Sequence, residues 1–492
     1  MLKKFFFRKS LAICFSLISL GVWSVSSAHE ITIDLDMVKN PCEAIREGLK
    51  EYWNDAGSEL RKSHLLIVRG SAHIDASDLI DVGDYKLCAG LGYGLFDDEQ
   101  YLVDESRSSV KLNGLISFEN VVLSYDEKNQ KKPVVIFQLG SFYNFGWAND
   151  SHANGLGGIS VGGAIEGRLS IYFTGKEASD WGRGDIPGLP FIKGNVSDTT
   201  TIGWFETGIN RTDMTRLSLS IEHELKDPDN VGFIHQHSWG LRRGPIRIEN
   251  AGVGMLFYGN SVGTISDSYI YRNDYGLVLG DFKIGGDVAP SPSCILGRQD
   301  QSNGSCEIRN SQVAELGVRD SVIEGNAYGN LVINDAERID FGSVHLEMAL
   351  QQYQKGHGVL IGGGHCSGDV IGACADDADC GSGKCEFPKR TLQRSIRFYG
   401  GLIGGDRYSN KWDGVVLGEN AKQKTGDVPS VYFEALMQFS DLNPQPQIRD
   451  SCYLPGVSCG LISCKEGADL IIDFSRAFYD QRASEKVLCE SE

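Results

Sequence analysis

Three glycines at a constant interval constrain this chain more than any other feature. Gly232, Gly254 and Gly276 lie 22 residues apart, and each opens a short apolar run: Phe233-Ile234-His235, Met255-Leu256-Phe257 and Leu277-Val278-Leu279. A fixed period of this size marks stacked structural repeats. The phrase recurs downstream at Tyr328-Gly329, His357-Gly358 and Asp413-Gly414, each leading into another apolar run. A second tract repeats ahead of the glycines: Arg247-Ile248-Glu249-Asn250, Tyr269-Ile270-Tyr271-Arg272-Asn273 and Val322-Ile323-Glu324-Gly325-Asn326. Helical repeats need apolar residues three and four apart without a central glycine. The pattern instead suits a strand, a Gly or Asn turn in the left-handed region, a second strand and a bend into the next coil.

This coil pattern resembles the right-handed parallel β-helix of the pectate-lyase-like superfamily, and it runs over roughly residues 60 to 440. The fold expected is all-β, a β-solenoid, and the likeness lies in the coil pattern rather than in a catalytic signature. Gly356-His357-Gly358 looks like the Gly-His-Gly of polygalacturonases. The partner motifs of those enzymes are missing, and Gly358 is already explained as a repeat glycine.

The ends read differently. Lys3, Lys4, Arg8 and Lys9, the apolar run Leu11 to Val22 and the small residues Ser26-Ser27-Ala28 form a secretory signal, cut ahead of His29. Residues 29–58 are a capping segment: Asn40-Pro41-Cys42-Glu43 is a helix start, and Ile45, Leu49 and Trp53 give an apolar stripe. Residues 59–440 form the solenoid, interrupted by inserts near 285–306 and 363–390. Residues 441–492 form a Cys-rich C-terminal cap.

The formal charge of −18 becomes −22 once the four basic residues of the signal are removed. Such a surface opposes nucleic acid and anionic lipid. No later stretch approaches a membrane span, so the mature chain is expected to be secreted, periplasmic or extracellular. Thirteen cysteines less Cys14 leave twelve, an even set that reads as a disulfide framework in an exported chain. Clustering suggests Cys42–Cys88 and Cys294–Cys306. Two groups of four, Cys366/Cys374/Cys380/Cys385 and Cys452/Cys459/Cys464/Cys489, each leave three connectivities open. No cofactor is fixed by the sequence. Ca²⁺ at Asp376, Asp377 and Asp379 competes with a plain solvated loop, and a metal at Cys380 and Cys385 or at His235 and His237 lacks further ligands.

Stacking turns the register into a surface map. Ile248, Ile270 and Ile323 should point inward. Glu249, Tyr271 and Glu324 should form one outward column, with Arg247, Tyr269 and Val322 beside it. Two rungs apart, Glu249 and Glu324 would be ~9–10 Å from each other, near the upper limit for an inverting glycosidase. A second constellation follows one strand: His237, Trp239, Arg242 and Arg243. What the resemblance implies for a polysaccharide lyase is a cation, here Arg242 or Arg243, and a base, here His237, Lys193 or Tyr271. Arg247, Tyr269 and Trp239 would contact the sugar. His235 should be a satisfied core histidine, and Trp147, Trp181 and Trp204 core filler rather than sugar platforms. The expected partner is a polysaccharide, cleaved by a lyase or glycoside hydrolase, or bound by a non-catalytic adhesin.

Overall fold

A computed structural model describes residues 30–58, 64–82, 85–91, 110–111, 114–127, 132–140, 165–166, 169–174, 191–196, 201–207, 212–215, 217–223, 230–236, 241–258, 261–280, 282, 313–347, 357–367, 372–387, 395–404, 413–418, 431–440, 462–464, 470–476 and 486–489. The signal, the 285–306 insert with Cys294 and Cys306, Trp147, Trp181, His237, Trp239, Cys452 and Cys459 lie outside them.

The chain winds as a right-handed parallel β-helix. Among the described residues, one sheet of 11 strands carries the repeat glycines, and a second of 19 strands carries the rest of each coil. The larger sheet bends along a file of left-handed residues, Asp267 (φ 52°), Asp320 (φ 48°), Ser343 (φ 54°) and Gly400 (φ 58°). Each central coil therefore has three faces. In one coil they are Asn230–Gln236 on the first, Leu241–Arg243 on the second and Ile246–Glu249 on the third.

Gly232, Gly254 and Gly276 do stack in one file, which continues through Gly358 and Gly414. The expectation at Gly329 was one residue off. Tyr275 pairs with Gly329 and Leu277 with Leu331, which sets Asn330 opposite Gly276. These glycines sit inside strands, and the left-handed residue of the adjoining turn is instead Asn250, Arg272 or Gly325. The repeat glycines are needed for close approach. A Cβ on Gly254 would lie 2.7 Å from both the Gly276 carbonyl oxygen and Ile270 Cγ2.

Ile248, Ile270 and Ile323 point inward and are fully buried, as the tract implies. Beside them runs an asparagine ladder. Asn273 Oδ1 accepts the Ala251 N–H at 2.9 Å, and Asn326 Oδ1 accepts the Asn273 N–H at 3.0 Å. At the other corner Ser268 Oγ accepts the Ile246 N–H, and Ser321 Oγ the Ser268 N–H, each at 3.1 Å. These ladders satisfy backbone donors that a tight corner removes from the sheet.

The first sheet is buried on both sides. Phe233, Met255 and Leu277 face the interior core, while Ile234, Leu256 and Val278 belong to a second apolar cluster outside it. That explains its continuous apolar runs, since a sheet covered on both faces need not alternate. The third face alternates instead, with Ile246 and Ile248 buried and Arg247 and Glu249 partly exposed.

Helix Pro41–Ser58 caps the N-terminal end, with the Asn40 side chain accepting the Glu43 N–H at 2.9 Å. Cys42–Cys88 ties it to the first coils. The 363–390 insert is a small antiparallel module closed by Cys366–Cys380 and Cys374–Cys385. It leaves the solenoid after a first-face strand, and Tyr275 Oη accepts its Ala373 N–H at 3.0 Å. Trp204 is core filler, stacked on Phe137 at 4.4 Å.

In the C-terminal segment the described residues include the strand Ile462–Cys464 and an antiparallel pair, Leu470–Arg476 with Lys486–Cys489. The bridging expected of Cys452, Cys459, Cys464 and Cys489 lies outside the described residues, whose disulfides join Cys42–Cys88, Cys366–Cys380 and Cys374–Cys385. Cys464 continues the first sheet, in register with Leu417, and Cys489 pairs with Leu470 in the larger sheet. No helix among the described residues is long and apolar enough to cross a membrane.

Candidate functional site on the third face

Register places the expected outward columns side by side. Glu249 pairs with Tyr271 and Tyr271 with Glu324; Arg247 pairs with Tyr269 and Tyr269 with Val322. The first column extends further than the repeat phrases alone reveal. Lys193 pairs with Ser220 and Ser220 with Glu249, while Glu324 pairs with Glu347. The second reaches His345 through Val322. Lys193, an expected base, thus shares a file with Glu249 and is exposed.

Side chains in the two columns are tied together. Arg247 Nη2 contacts Glu249 Oε1 and Oε2 at 3.2 and 3.1 Å and also donates to the Tyr271 hydroxyl. Tyr269 donates to Glu324 Oε1. The Tyr269 and Tyr271 rings lie 4.4 Å apart. Two guanidiniums flank Tyr271, Arg247 at 5.4 Å and Arg272 at 5.5 Å from its centroid, both within cation–π range. Burial, reinforced by a hydrogen bond to Glu249 and its charge, pushes the Tyr271 phenol up to about 12. Tyr269 is raised too, by burial and by Glu324. Burial opposes the charge on Arg247, but Glu249 and Tyr271 together outweigh it and the guanidinium is held above its ordinary value. Among the described residues, the Arg247 Nε–H has no acceptor.

Of the second constellation, Arg242 and Arg243 do not join this site, and His237 and Trp239 lie outside the described residues. Arg242 is exposed on the second face, in file with Thr264. Arg243 turns inward and is 2% exposed. Its Nε and Nη2 reach Glu206 Oε2 at 3.1 and 2.8 Å. His235 Nδ1 contacts the same oxygen at 2.9 Å, and Trp204 Nε1 donates to Glu206 Oε1 at 3.0 Å. His235 is the expected core histidine, pairing with Phe257, which pairs in turn with Leu279. Glu206 was not anticipated, although alternation from Trp204 sets it inward and opposite His235.

The acidic module loop uses its carboxylates locally. Asp376, Asp377 and Asp379 accept the N–H groups of Ala378, Cys385 and Ala375 at 3.0, 2.8 and 2.7 Å. Among the described residues, the one group with metal-ligand spacing is Cys366, Cys374 and Cys380, and all three are in disulfides.

No protein-family model matches the chain, and no curated protein matches its sequence. Among solved structures, it is similar to the A-module of the Azotobacter vinelandii mannuronan C-5 epimerase AlgE4. That match has 11% identity and a TM-score of 0.36, and covers 82% of this chain and 92% of that one. It is also similar to the Dettilon tailspike protein, at 9% identity and a TM-score of 0.30, over 84% and 68% of the two chains. A third is the periplasmic alginate epimerase AlgG, at 10% identity and a TM-score of 0.24, over 80% and 91%. At these values neither an activity nor a site carries across.

Proposed function

We propose that the protein is exported and cleaves an extended polysaccharide laid along the third face. One observation carries this reading: Arg247, Glu249, Tyr269, Tyr271 and Glu324 converge over three successive rungs of one alternating face, with Lys193 on the same file. Successive rungs advance ~4.8 Å, so a linear glycan running along the axis would meet each rung in turn. Export is supported by the basic and apolar N-terminal pattern and by three disulfides among the described residues.

Breaking a glycosidic bond requires a proton for the leaving oxygen. Tyr271, like any phenol, keeps its proton at neutral pH, and burial beside Glu249 raises it further, to about 12. Arg247 beside it would stabilise the phenolate left behind. A hydrolase would use Glu249 or Glu324, each one rung (~4.8 Å) from Tyr271, to activate water. A lyase would instead remove a ring proton next to a uronate carboxyl; Lys193, three rungs or ~14 Å from Tyr271, is too distant to act on the same sugar unit. Arg242 and Arg243 have no part in this site. The second reading is a glycan-binding protein, favoured by the way Arg247, Glu249 and Tyr271 satisfy one another.

Incubation of the mature protein with uronate and neutral polysaccharides separates these readings. New absorbance near ~235 nm, from a conjugated uronate, marks a lyase; reducing ends alone mark a hydrolase. Tyr271→Phe should lower kcat about 10²- to 10⁴-fold, the worth of a positioned proton donor. Cleavage unchanged in both Tyr271→Phe and Glu249→Gln would remove this face as the active site. Binding without cleavage by the wild type would leave the adhesin.

A further inference from the structure

The turn after each third-face strand needs one residue in the left-handed region. Neighbouring coils fill it with Asn250 (φ 62°) and Gly325 (φ 62°), the residue types that tolerate it. The coil between them uses Arg272 (φ 55°). The other non-glycine residues of positive φ among those described are Asn120, Asn250, Asp267, Asp320 and Ser343, all short and polar. Arg272 alone has a long side chain. A guanidinium on a three-carbon stem cannot make the short backbone hydrogen bond by which Asn or Asp relieves this conformation. Its backbone is therefore strained where a cheaper residue would serve.

The strain places a cation over the candidate site. Arg272 follows Tyr271 directly, is exposed, and holds its guanidinium 5.5 Å from the Tyr271 ring centroid. Arg247 lies 5.4 Å from the same ring but is already engaged by Glu249. The face also carries Glu249 and Glu324, in a chain of formal charge −18. An anionic sugar approaching it therefore needs a local cation that is not spent on a protein carboxylate.

We propose that Arg272 is a substrate-binding residue that receives the acidic group of an anionic sugar unit over Tyr271. The ligand class is then an acidic polysaccharide. The shared chemistry is an oxyanion, a uronate carboxylate or a sulfate ester, which the planar guanidinium can bind through two N–H groups. This rests on the third face being the glycan site.

The test measures binding of the mature full chain to a uronate polymer, a sulfated neutral polymer and an unmodified neutral polymer, alongside thermal melting. Arg272→Asn should melt at or above the wild type, because Asn suits the turn. It should lose affinity for the anionic polymer about 10- to 100-fold, the worth of a charge-assisted pair, and keep any affinity for the neutral one. Arg272→Lys should fall between. Loss confined to the uronate or to the sulfated arm supports the assignment and identifies the anion. Wild-type affinity for both anionic polymers in Arg272→Asn overturns it, as does a lowered melting temperature with equal loss on all three. If the wild type prefers the neutral polymer and Arg272→Asn matches it, the inference falls while the glycan face stands. If the wild type neither binds nor cleaves any polymer, both fall together.

Discussion

Glu206 shows what a single residue can do inside a solenoid. It is fully buried and accepts from Trp204, His235 and Arg243, three residues on three different strands. Burial works against its charge, but Arg243 and His235 outweigh that and hold the carboxyl below its ordinary value of 4.5. A depressed folded value means the stability it contributes is present above pH 4.5 and is lost as pH falls through the folded value. Glu206→Gln would leave the Arg243 guanidinium buried beside a neutral amide. The expected cost is about 3–5 kcal/mol, as for removal of one partner of a buried ion pair. Urea unfolding at neutral pH measures it, and the gap between variant and wild type should narrow in acid. A gap that is constant with pH would show that packing, not charge, is responsible. The inward side of Glu206 was legible from alternation with Trp204. Its partners were not, because Arg243 is 37 residues away and reaches it only once two coils are stacked.

At the scale of the strand, the repeat glycines are set by what lies one rung away. Gly254 has no room for a methyl group, because the Gly276 carbonyl oxygen and Ile270 Cγ2 would each be 2.7 Å from it. The backbone oxygen is locked in a ladder and cannot yield as a flexible side chain would. Gly254→Ala should therefore cost about 1–3 kcal/mol, the range for overpacking a tight interior. Guanidinium unfolding of Gly254→Ala, with half-buried Gly263→Ala as control, checks this; equal midpoints would mean the rungs separate freely. The same spacing made the inward Ile248–Ile270–Ile323 file readable before any coordinates. It misplaced Gly329 by one residue, because the glycine phrase there is one residue early and Asn330 fills the site. Asn330 Oδ1 accepts from Asn326 Nδ2 at 2.9 Å, a compensation that no glycine count reveals. Cysteine clustering guided the pairing as well: Cys42–Cys88 forms as expected, and the 366–385 group pairs within itself.

At the scale of the molecule the faces are covered differently. The first sheet is apolar on both faces and is covered, in part by the module that Tyr275 holds, whereas the second and third faces, both in the larger sheet, carry the partly exposed polar residues. The paired tyrosines and carboxylates of the third face were legible from register alone. Arg272 was not singled out, because its significance lies in a backbone angle rather than in residue type or spacing. A solenoid also distributes its stability: each coil touches its neighbours, so damage at one end stays near that end. The Cys42–Cys88 bridge closes a sequence separation of 46 and ties the capping helix to the first coils. Replacing both cysteines with serine should cost about 4 kcal/mol by the loop-entropy relation for a closure of this length. The loss should not be shared evenly. Hydrogen exchange followed by mass spectrometry should quicken first in the strands at Glu30–Asp34, His64–Ile74 and Tyr85–Leu91. Strands from Ile246 to Ile333 should keep their protection, and with it the Tyr271 site should stay formed. Uniform acceleration from end to end would mean that the coils unfold as one cooperative block, and the cap would then be a determinant of the whole molecule rather than a local seal.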